Sequence, residues 1–268
     1  MSKSFEDYLA DFVDEYIEVV HKGLSSRWDQ IVPDIYERHF HDCVAALTAR
    51  QATLTIEMAL APSTWNGHVA PLFLRCMVDA YITLAWIMEE PVERSSKYVQ
   101  YGLGQEKLFI EYLEEAVRNE PDAHDSESIA QLVEARRAWL NSQLAEWATE
   151  VNVGSWSGRS TREMAKDIGR ESIYKHAYVP FSGCAHNMWQ HVGIYNVETC
   201  KNPLHKWHRL PLCESHAIDP DFMYRSAKYV SLTYRLLDEK LGTTCDVPDP
   251  EQFFIEHPFL ADDGEPSS

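Results

Sequence analysis

The sequence lacks the short motifs that identify the common enzyme classes. It has no phosphate-binding loop, no glycine pattern for a dinucleotide, no HExxH pair and no GxSxG nucleophile turn. It also lacks the runs of alternating β-branched residues that indicate β-strands. No motif therefore assigns a reaction, and the absence of strand patterns favours an all-α fold.

Long uncharged apolar runs are also missing. No window reaches the roughly 18 uncharged apolar residues typical of a membrane span, and the N-terminal MSKSFEDYLADF has acids where a signal peptide needs a basic start. We expect a cytoplasmic protein without a membrane segment. Its six cysteines are scattered over different segments, so we expect reduced thiols and no disulfide framework.

Basic residues are scarce. The chain carries 24 Lys and Arg against 42 Asp and Glu, a net charge of -18, which repels nucleic acid unless a local basic patch exists. From Cys245 to Ser268 there are seven acids, four prolines and no lysine or arginine. We therefore expect an α-helical domain over residues 1–243 and an extended acidic tail over 244–268, whose FFIEHPFL could dock on the body.

Apolar residues recur at helical spacing along almost the whole chain. We predict a single bundle of about seven helices, with long helices antiparallel because the connections near 62–67 and 120–125 are short. The predicted helices cover about 5–21, 33–61, 68–89, 91–119, 126–151, 160–169, 172–195 and 221–241.

Two of these helices carry polar residues on apolar faces. Arg75 and Asp79 stand one turn apart among residues expected to be buried (Leu72, Met77, Tyr81, Leu84 and Trp86), and Ser182 and His186 have the same spacing. If the two helices pack face to face, all four side chains converge near Tyr98 and Tyr101. Such a group could perform acid–base chemistry or bind a phosphate. It could equally be a structural ion pair that holds two helices together.

Three stretches carry a resemblance to a known family. The segments LFLRCMVDAYITLAWIMEEPVERSSKYVQY, WSGRSTREMAKDIG and YKHAYVPFSGCAH resemble the bacterial DUF5677 family over about residues 35–195. The matching positions are Arg75, Asp79, Pro91, Tyr98, Tyr101, Trp156, Tyr174, Tyr178, Ser182 and His186. Asp79 replaces an expected glutamate and Pro180 an arginine that often follows the tyrosine. We take Arg75, Asp79, Ser182 and His186 as the candidate catalytic residues, and Tyr98, Tyr101 and Tyr178 as the candidate ligand-binding residues.

The family is similar, more loosely, to the helical HEPN group. That similarity implies a HEPN-like layout, a homodimer, a partner protein from the same operon and RNA or a nucleotide as ligand, with no cofactor. HEPN ribonucleases use Arg-x(4–6)-His without a metal, and Arg170 with His176 fits this pattern. Two further matches occur in this chain and roughly two are expected by chance, so Arg170 and His176 are the weaker candidates for catalysis.

A metal site is the remaining alternative. Cys200, His205, His208 and Cys213 follow the spacing C-x4-H-x2-H-x4-C, and two histidines three residues apart on a helix can share a cation. The segment has no Cys-x-x-Cys knuckle, and its Trp207 and Pro211 indicate a packed connection. We expect no metal and keep a structural zinc as the alternative.

Two classes of function remain open. The first is a bacterial defence or stress-response protein that acts on RNA or a nucleotide, as a metal-independent ribonuclease or a nucleotide-binding effector. The second is a non-catalytic binding or oligomerisation module whose polar cluster is structural. The polar cluster favours the first class, and the net charge of -18 favours the second.

Overall fold

The computed structural model describes residues 4–121, 124–147, 149–214 and 216–257, and it is all-α. The strands in these ranges form one antiparallel hairpin, in which β1 (Val197–Thr199) pairs with β2 (Arg209–Pro211). The long helices are α1 (Phe5–Trp28), α2 (Arg38–Leu60), α3 (Ala70–Glu89), α4 (Pro91–Asn119), α5 (Ser126–Trp147) and α10 (Pro220–Leu241). The short helices are α6 (Thr161–Asp167), α7 (Glu171–Ile173), α8 (Val179–Ala185), α9 (Trp189–Tyr195) and α11 (Pro250–Glu256).

Helix α3 lies at the centre of the bundle. It packs on α2 and α10 along one side, and on α6 and α8 along another. By length and composition α3 could cross a membrane, but 67% of its most apolar stretch is buried inside the bundle. Helix α3 is therefore a core helix of the bundle. Burial in the core removes its many apolar side chains from water.

Helices α4 and α5 pack on each other as a two-helix arm, and α4 also packs on α2 and α3 of the bundle. Its interior is a small cluster of four buried residues, Leu103, Ile110, Val133 and Leu140, distinct from the main core. Helix α5 packs chiefly on α4. At the base of the arm Gly104 meets the backbone of Asn152 so closely that a Cβ would lie 2.0 Å from its carbonyl oxygen, which explains the glycine there.

Most predicted helices are confirmed, with different ends. The fourth helix has the predicted bounds, and α1 continues past its predicted end to Trp28. The helix predicted from Pro33 begins at Arg38, after a 3₁₀ turn at Ile35–Glu37. Leu72, predicted to be buried, is 42% exposed because it lies in the first turn of α3, on the side away from the core.

The predicted continuous helix over 172–195 is wrong. The chain is helical from α7 through a π-helical turn at Tyr174–Tyr178 to the end of α8, and it breaks at residues 186–188 before α9. At this break Asn187 adopts a left-handed φ of 50°. Its N–H and that of Met188 donate to the carbonyls of Cys184 and Gly183 at 3.1 and 2.9 Å. This pair of bonds ends a helix in a Schellman motif, for which asparagine is the common alternative to glycine.

The segment predicted as an extended acidic tail begins with structure. Residues Pro250–Glu256 form α11, capped by Asp249 and packed on α1 and α10. Phe254 is buried and meets Phe12 edge-to-face, with ring centroids 5.3 Å apart. The prediction of an extended tail is therefore wrong for Pro250–Glu256, because burial of Phe254 outweighs the local acidity. The predicted docking on the body is confirmed for FFIEH. Residues 258–268 lie outside the described part of the chain.

Candidate functional site

Arg75 is the centre of a polar cluster between α3 and α8. Its Nε donates a 2.8 Å hydrogen bond to Ser182 Oγ, and its Nη1 lies 3.4 Å from an Asp79 carboxylate oxygen. The guanidinium also stacks on Tyr178, with its central carbon 3.4 Å from the ring centroid. The convergence predicted for Arg75, Asp79 and Ser182 is therefore found, and Tyr178 joins them.

The π-helical turn positions two of these partners. Tyr178 is its last residue, and Ser182, four residues on, donates a 2.7 Å hydrogen bond to the Tyr178 carbonyl. Tyr174 stacks on Tyr178 with ring centroids 4.9 Å apart, and the Tyr178 hydroxyl donates to Thr161 of α6. Each π turn adds one residue to the helical turn, which rotates the side chains that follow. The Tyr178 ring and the Ser182 hydroxyl both contact the guanidinium of Arg75.

Asp79 forms the open edge of the cluster. Its side chain is 47% exposed, whereas that of Arg75 is 16% exposed. Partial burial raises the pKa of Asp79 above its ordinary value, and the charge and hydrogen bond of Arg75 oppose this increase. The carboxyl can therefore exchange a proton with solvent beside a fixed positive charge.

An aromatic wall continues from Asp79. Tyr98 meets Trp156 edge-to-face at 5.2 Å, and Trp156 meets Trp86 in the same way at 5.4 Å. Burial raises the pKa of Tyr98, with smaller contributions from Cys43 and Asp79. Tyr98 thus lies near the cluster, as predicted, although its ring is used in packing.

Two predicted members stay outside the cluster. His186 follows the last residue of α8 and is exposed, because the Schellman motif ends the helix there. Within the described residues no hydrogen bond or ion pair joins it to Arg75 or Asp79. Tyr101 is partly exposed on α4 and has no ring contact or hydrogen bond with the cluster in the same ranges. The predicted convergence is not found for either residue.

Arg170 and His176 do not form a pair. Arg170 precedes α7 as its N-cap, and its positive charge counteracts the rise of the Tyr81 pKa that burial causes. His176 is exposed within the π-helical turn. Arg170 therefore lies beside Tyr81 of α3, and within the described residues no hydrogen bond or ring contact joins it to His176.

The predicted metal-ligand set is brought together only in part. Cys200, His205 and His208 place one ligand atom each within 4.8 Å of the others. Cys213 lies at the opposite end of the hairpin, since Val197 pairs with Pro211 and Thr199 with Arg209. With two residues beyond Pro211, Cys213 is roughly 16 Å along the strand from His208. A site with all four ligands is wrong for this reason.

Two polar groups escaped prediction. His68, His191 and His216 surround Tyr195, and the Nε2 atoms of His68 and His216 are 2.6 Å apart. These residues come from segments nearly 150 positions apart, so no local pattern could reveal them. The second group is a bidentate ion pair of Arg27 with Asp238, at 2.8 and 2.9 Å.

The Arg75 cluster is a polar network between helices in which one member, Asp79, is exposed to solvent. Arginine contacts a hydroxyl, a carboxylate and an aromatic face, and each contact comes from a different turn of α3, α8 or the π segment. Such a network orders the helices if its members are satisfied. Its solvent-facing group, Asp79, is the one able to contact a ligand or move a proton.

The comparisons with known proteins bear on this part of the chain. No curated protein and no solved structure matches the sequence. The profile of the DUF5677 family, described as a family of unknown function, matches residues 41–202. That match includes most of α2, all of α3 to α9 and every residue of the Arg75 cluster. Because it covers more than half of the 268 residues, the chain belongs to the DUF5677 family.

Proposed function

We propose that this protein is a non-catalytic helical module of bacterial defence or stress response that works by binding, and that it forms a homodimer through its α4–α5 arm. The observation that carries the proposal is the arm itself. It has two long helices, only four buried apolar residues inside, and several large apolar side chains on its surface.

The exposed apolar side chains share one side of the arm. Leu132 and Trp139 stand seven residues apart on one face of α5 and are 43% and 51% exposed. Phe109 of α4, 42% exposed, lies on the same side because Arg136 of α5 stacks on its ring at 4.7 Å. We name Phe109, Leu132 and Trp139 the arm face. Clustered exposed apolar groups of this kind mark interaction surfaces.

The size of the arm face suits a second copy of the chain. Helix α5 has 22 residues, so it is about 33 Å long, and two helices side by side are about 20 Å wide. The face therefore offers on the order of 650 Å², near the ~800 Å² that each partner buries in a standard interface. Helix α5 packs chiefly on α4, and dimerisation would bury its open side.

The site geometry supports binding rather than catalysis. Arg75 is engaged by Ser182, Asp79 and Tyr178, while His186, the predicted acid–base residue, is exposed and unconnected to it. A catalytic base must come within hydrogen-bond reach of its partner groups. The net charge of -18 also disfavours RNA as a substrate.

Light scattering of the purified chain tests the proposal. We expect a mass of about 62 kDa, twice the chain mass of 30.9 kDa, at micromolar concentration. Trp139→Glu should give a monomer, because a carboxylate would enter the apolar contact. Trp189→Glu is the matched control, since Trp189 is 70% exposed on α9, away from the arm. A monomeric wild type, or equal loss of the dimer in both variants, would refute the arm face.

A second candidate function rests on Asp79. A carboxyl with a raised pKa beside a guanidinium could bind a nucleotide or take part in metal-independent RNA cleavage. π-helical turns, such as Tyr174–Tyr178, also occur frequently at functional sites. This candidate corresponds to a ribonuclease or nucleotide-binding effector.

Cleavage of single-stranded RNA in the presence of a chelator tests this candidate. If the Arg75 cluster is catalytic, wild type cleaves RNA and Asp79→Asn loses cleavage while remaining folded. Lys97→Gln, a surface variant on α4, should retain it and serves as the control. The binding proposal predicts no cleavage by any of the three proteins.

A further inference from the structure

The turn of the β1–β2 hairpin gathers three metal-ligating side chains. The backbone N–H of Cys200 donates to the carbonyl of His208 at 2.9 Å and closes the turn. Inside it, Cys200 Sγ lies 3.8 Å from His205 Nδ1, and the His205 and His208 rings are 5.5 Å apart. The three ligand atoms all lie within 4.8 Å of one another.

These distances can be compared with the geometry of bound zinc. With Zn–S near 2.3 Å, Zn–N near 2.05 Å and tetrahedral angles, sulfur and nitrogen ligands are about 3.6 Å apart and two nitrogens about 3.3 Å. The distance of 3.8 Å from Cys200 Sγ to His205 Nδ1 is already close to the first value. A rotation of the exposed His208 ring would complete the set.

We propose that Cys200, His205 and His208 bind one Zn²⁺ ion at the tip of this hairpin. One thiolate and two imidazoles form a borderline-soft donor set that zinc prefers over magnesium or calcium. Three protein ligands leave the fourth tetrahedral position for water or for a group from a binding partner. Binding displaces the thiol proton of Cys200, and His205 carries its remaining ring proton on Nε2.

The hairpin itself gives the ion a structural role. Each strand has only three residues, and an isolated two-stranded hairpin of this size is marginal in water. At the turn Leu204 and Trp207 are each 89% exposed, and Trp207 adopts a left-handed φ of 66°. Apolar packing therefore does not hold the turn, and a metal ion that joins its two ends would.

Asn202 lies beside one of the ligands. Its side-chain oxygen accepts the backbone N–H of Leu204 at 3.0 Å, and its Nδ2 lies 3.4 Å from His205 Nε2. An amide nitrogen only donates, so it can bond Nε2 only while that nitrogen carries no proton. When Nδ1 binds the ion and the ring proton is on Nε2, this contact is lost and Nε2 donates to solvent, to which His205 is exposed.

Cobalt titration of the reduced, metal-free full-length protein tests the site. We expect one Co²⁺ per chain, a near-ultraviolet thiolate-to-cobalt charge-transfer band and visible bands of tetrahedral cobalt, all removed by added Zn²⁺. Cys200→Ser should abolish the charge-transfer band. His205→Ala and His208→Ala should each weaken cobalt binding at least ~10-fold.

Cys213→Ser is the matched control, because Cys213 lies on the same hairpin but at its other end. It should bind cobalt as the wild type does. The proposal is overturned if the wild type shows no thiolate band, if the band survives in Cys200→Ser, or if Cys213→Ser loses it. Circular dichroism of each variant at the same concentration verifies that the helical fold is retained.

Discussion

Arg75 combines three interactions that a shorter or non-planar cation could not make together. Its Nε bonds Ser182, its Nη1 approaches Asp79 and its plane covers Tyr178. Arg75→Ala removes all three and should lower the free energy of unfolding by about 2 kcal/mol. Arg75→Lys should recover only part of this loss, since lysine cannot stack or keep the Nε contact.

A double-mutant cycle in denaturant measures how Arg75 and Ser182 are coupled. Arg75→Ala, Ser182→Ala and the double variant should be non-additive by about 1 kcal/mol, as expected for residues joined by a direct hydrogen bond. Additive losses would show that the 2.8 Å contact does not hold α3 to α8.

Asp79 should make stability depend on pH. Its folded-state pKa is raised above 3.8, so the folded protein binds more protons than the unfolded chain between these two pKa values. Stability therefore falls as pH rises through this window, and the loss is complete above the folded pKa. Asp79→Asn should be at least as stable as the wild type at pH 7, and their difference should vanish below pH 3.8. A less stable Asp79→Asn at pH 7 would contradict this sign.

At the scale of elements, the group of His68, His191 and His216 connects the turn before α3, helix α9 and the segment before α10. Burial lowers the pKa of His68, and the charges of His216 and His191 lower it further. The folded state thus favours neutral His68, and stability falls as pH drops through 6.5 towards the folded pKa. In His216→Ala the His68 pKa, followed by NMR, should rise. An unchanged value would contradict a contribution from His216.

Sequence periodicity predicted the long helices but not their interruptions. The approximate bounds predicted for the fourth helix are confirmed, because Pro91 opens it and Glu120-Pro121 follows it. The π turn at Tyr174–Tyr178 and the break at Asn187 were missed, since both depend on tertiary contacts of Tyr178 and on one left-handed backbone angle. The same break placed His186 outside the predicted site.

The candidate site could be predicted only where partners share a helix face. Arg75 and Asp79 are one turn apart, so their contact follows from spacing alone. The contact with Ser182 spans 107 positions and was predicted only by assuming that two apolar faces pack together. Histidines His68 and His216, 148 positions apart, carry no local pattern and could not be predicted.

At the scale of the molecule, charge and apolar surface have opposite effects. A net charge of -18 repels a second copy, while the arm face attracts it. Salt screens the repulsion, with a Debye length of about 10 Å at 0.1 M. We therefore expect the dimer dissociation constant to fall as sodium chloride rises from low to moderate concentration. Sedimentation velocity at two salt concentrations measures this, and weaker association in salt would indicate a contact made by ion pairs.

The measurement that tests the central claim most directly is amide hydrogen exchange of Ser126–Trp147 as a function of protein concentration. Only Ser126, Val133 and Leu140 of this helix are buried in one chain, so its amides should exchange readily when the protein is dilute. We predict that protection there rises with concentration in the wild type and not in Trp139→Glu, while Ala70–Glu89 stays protected throughout. Exchange of Ser126–Trp147 that is the same at all concentrations would contradict dimerisation through the arm.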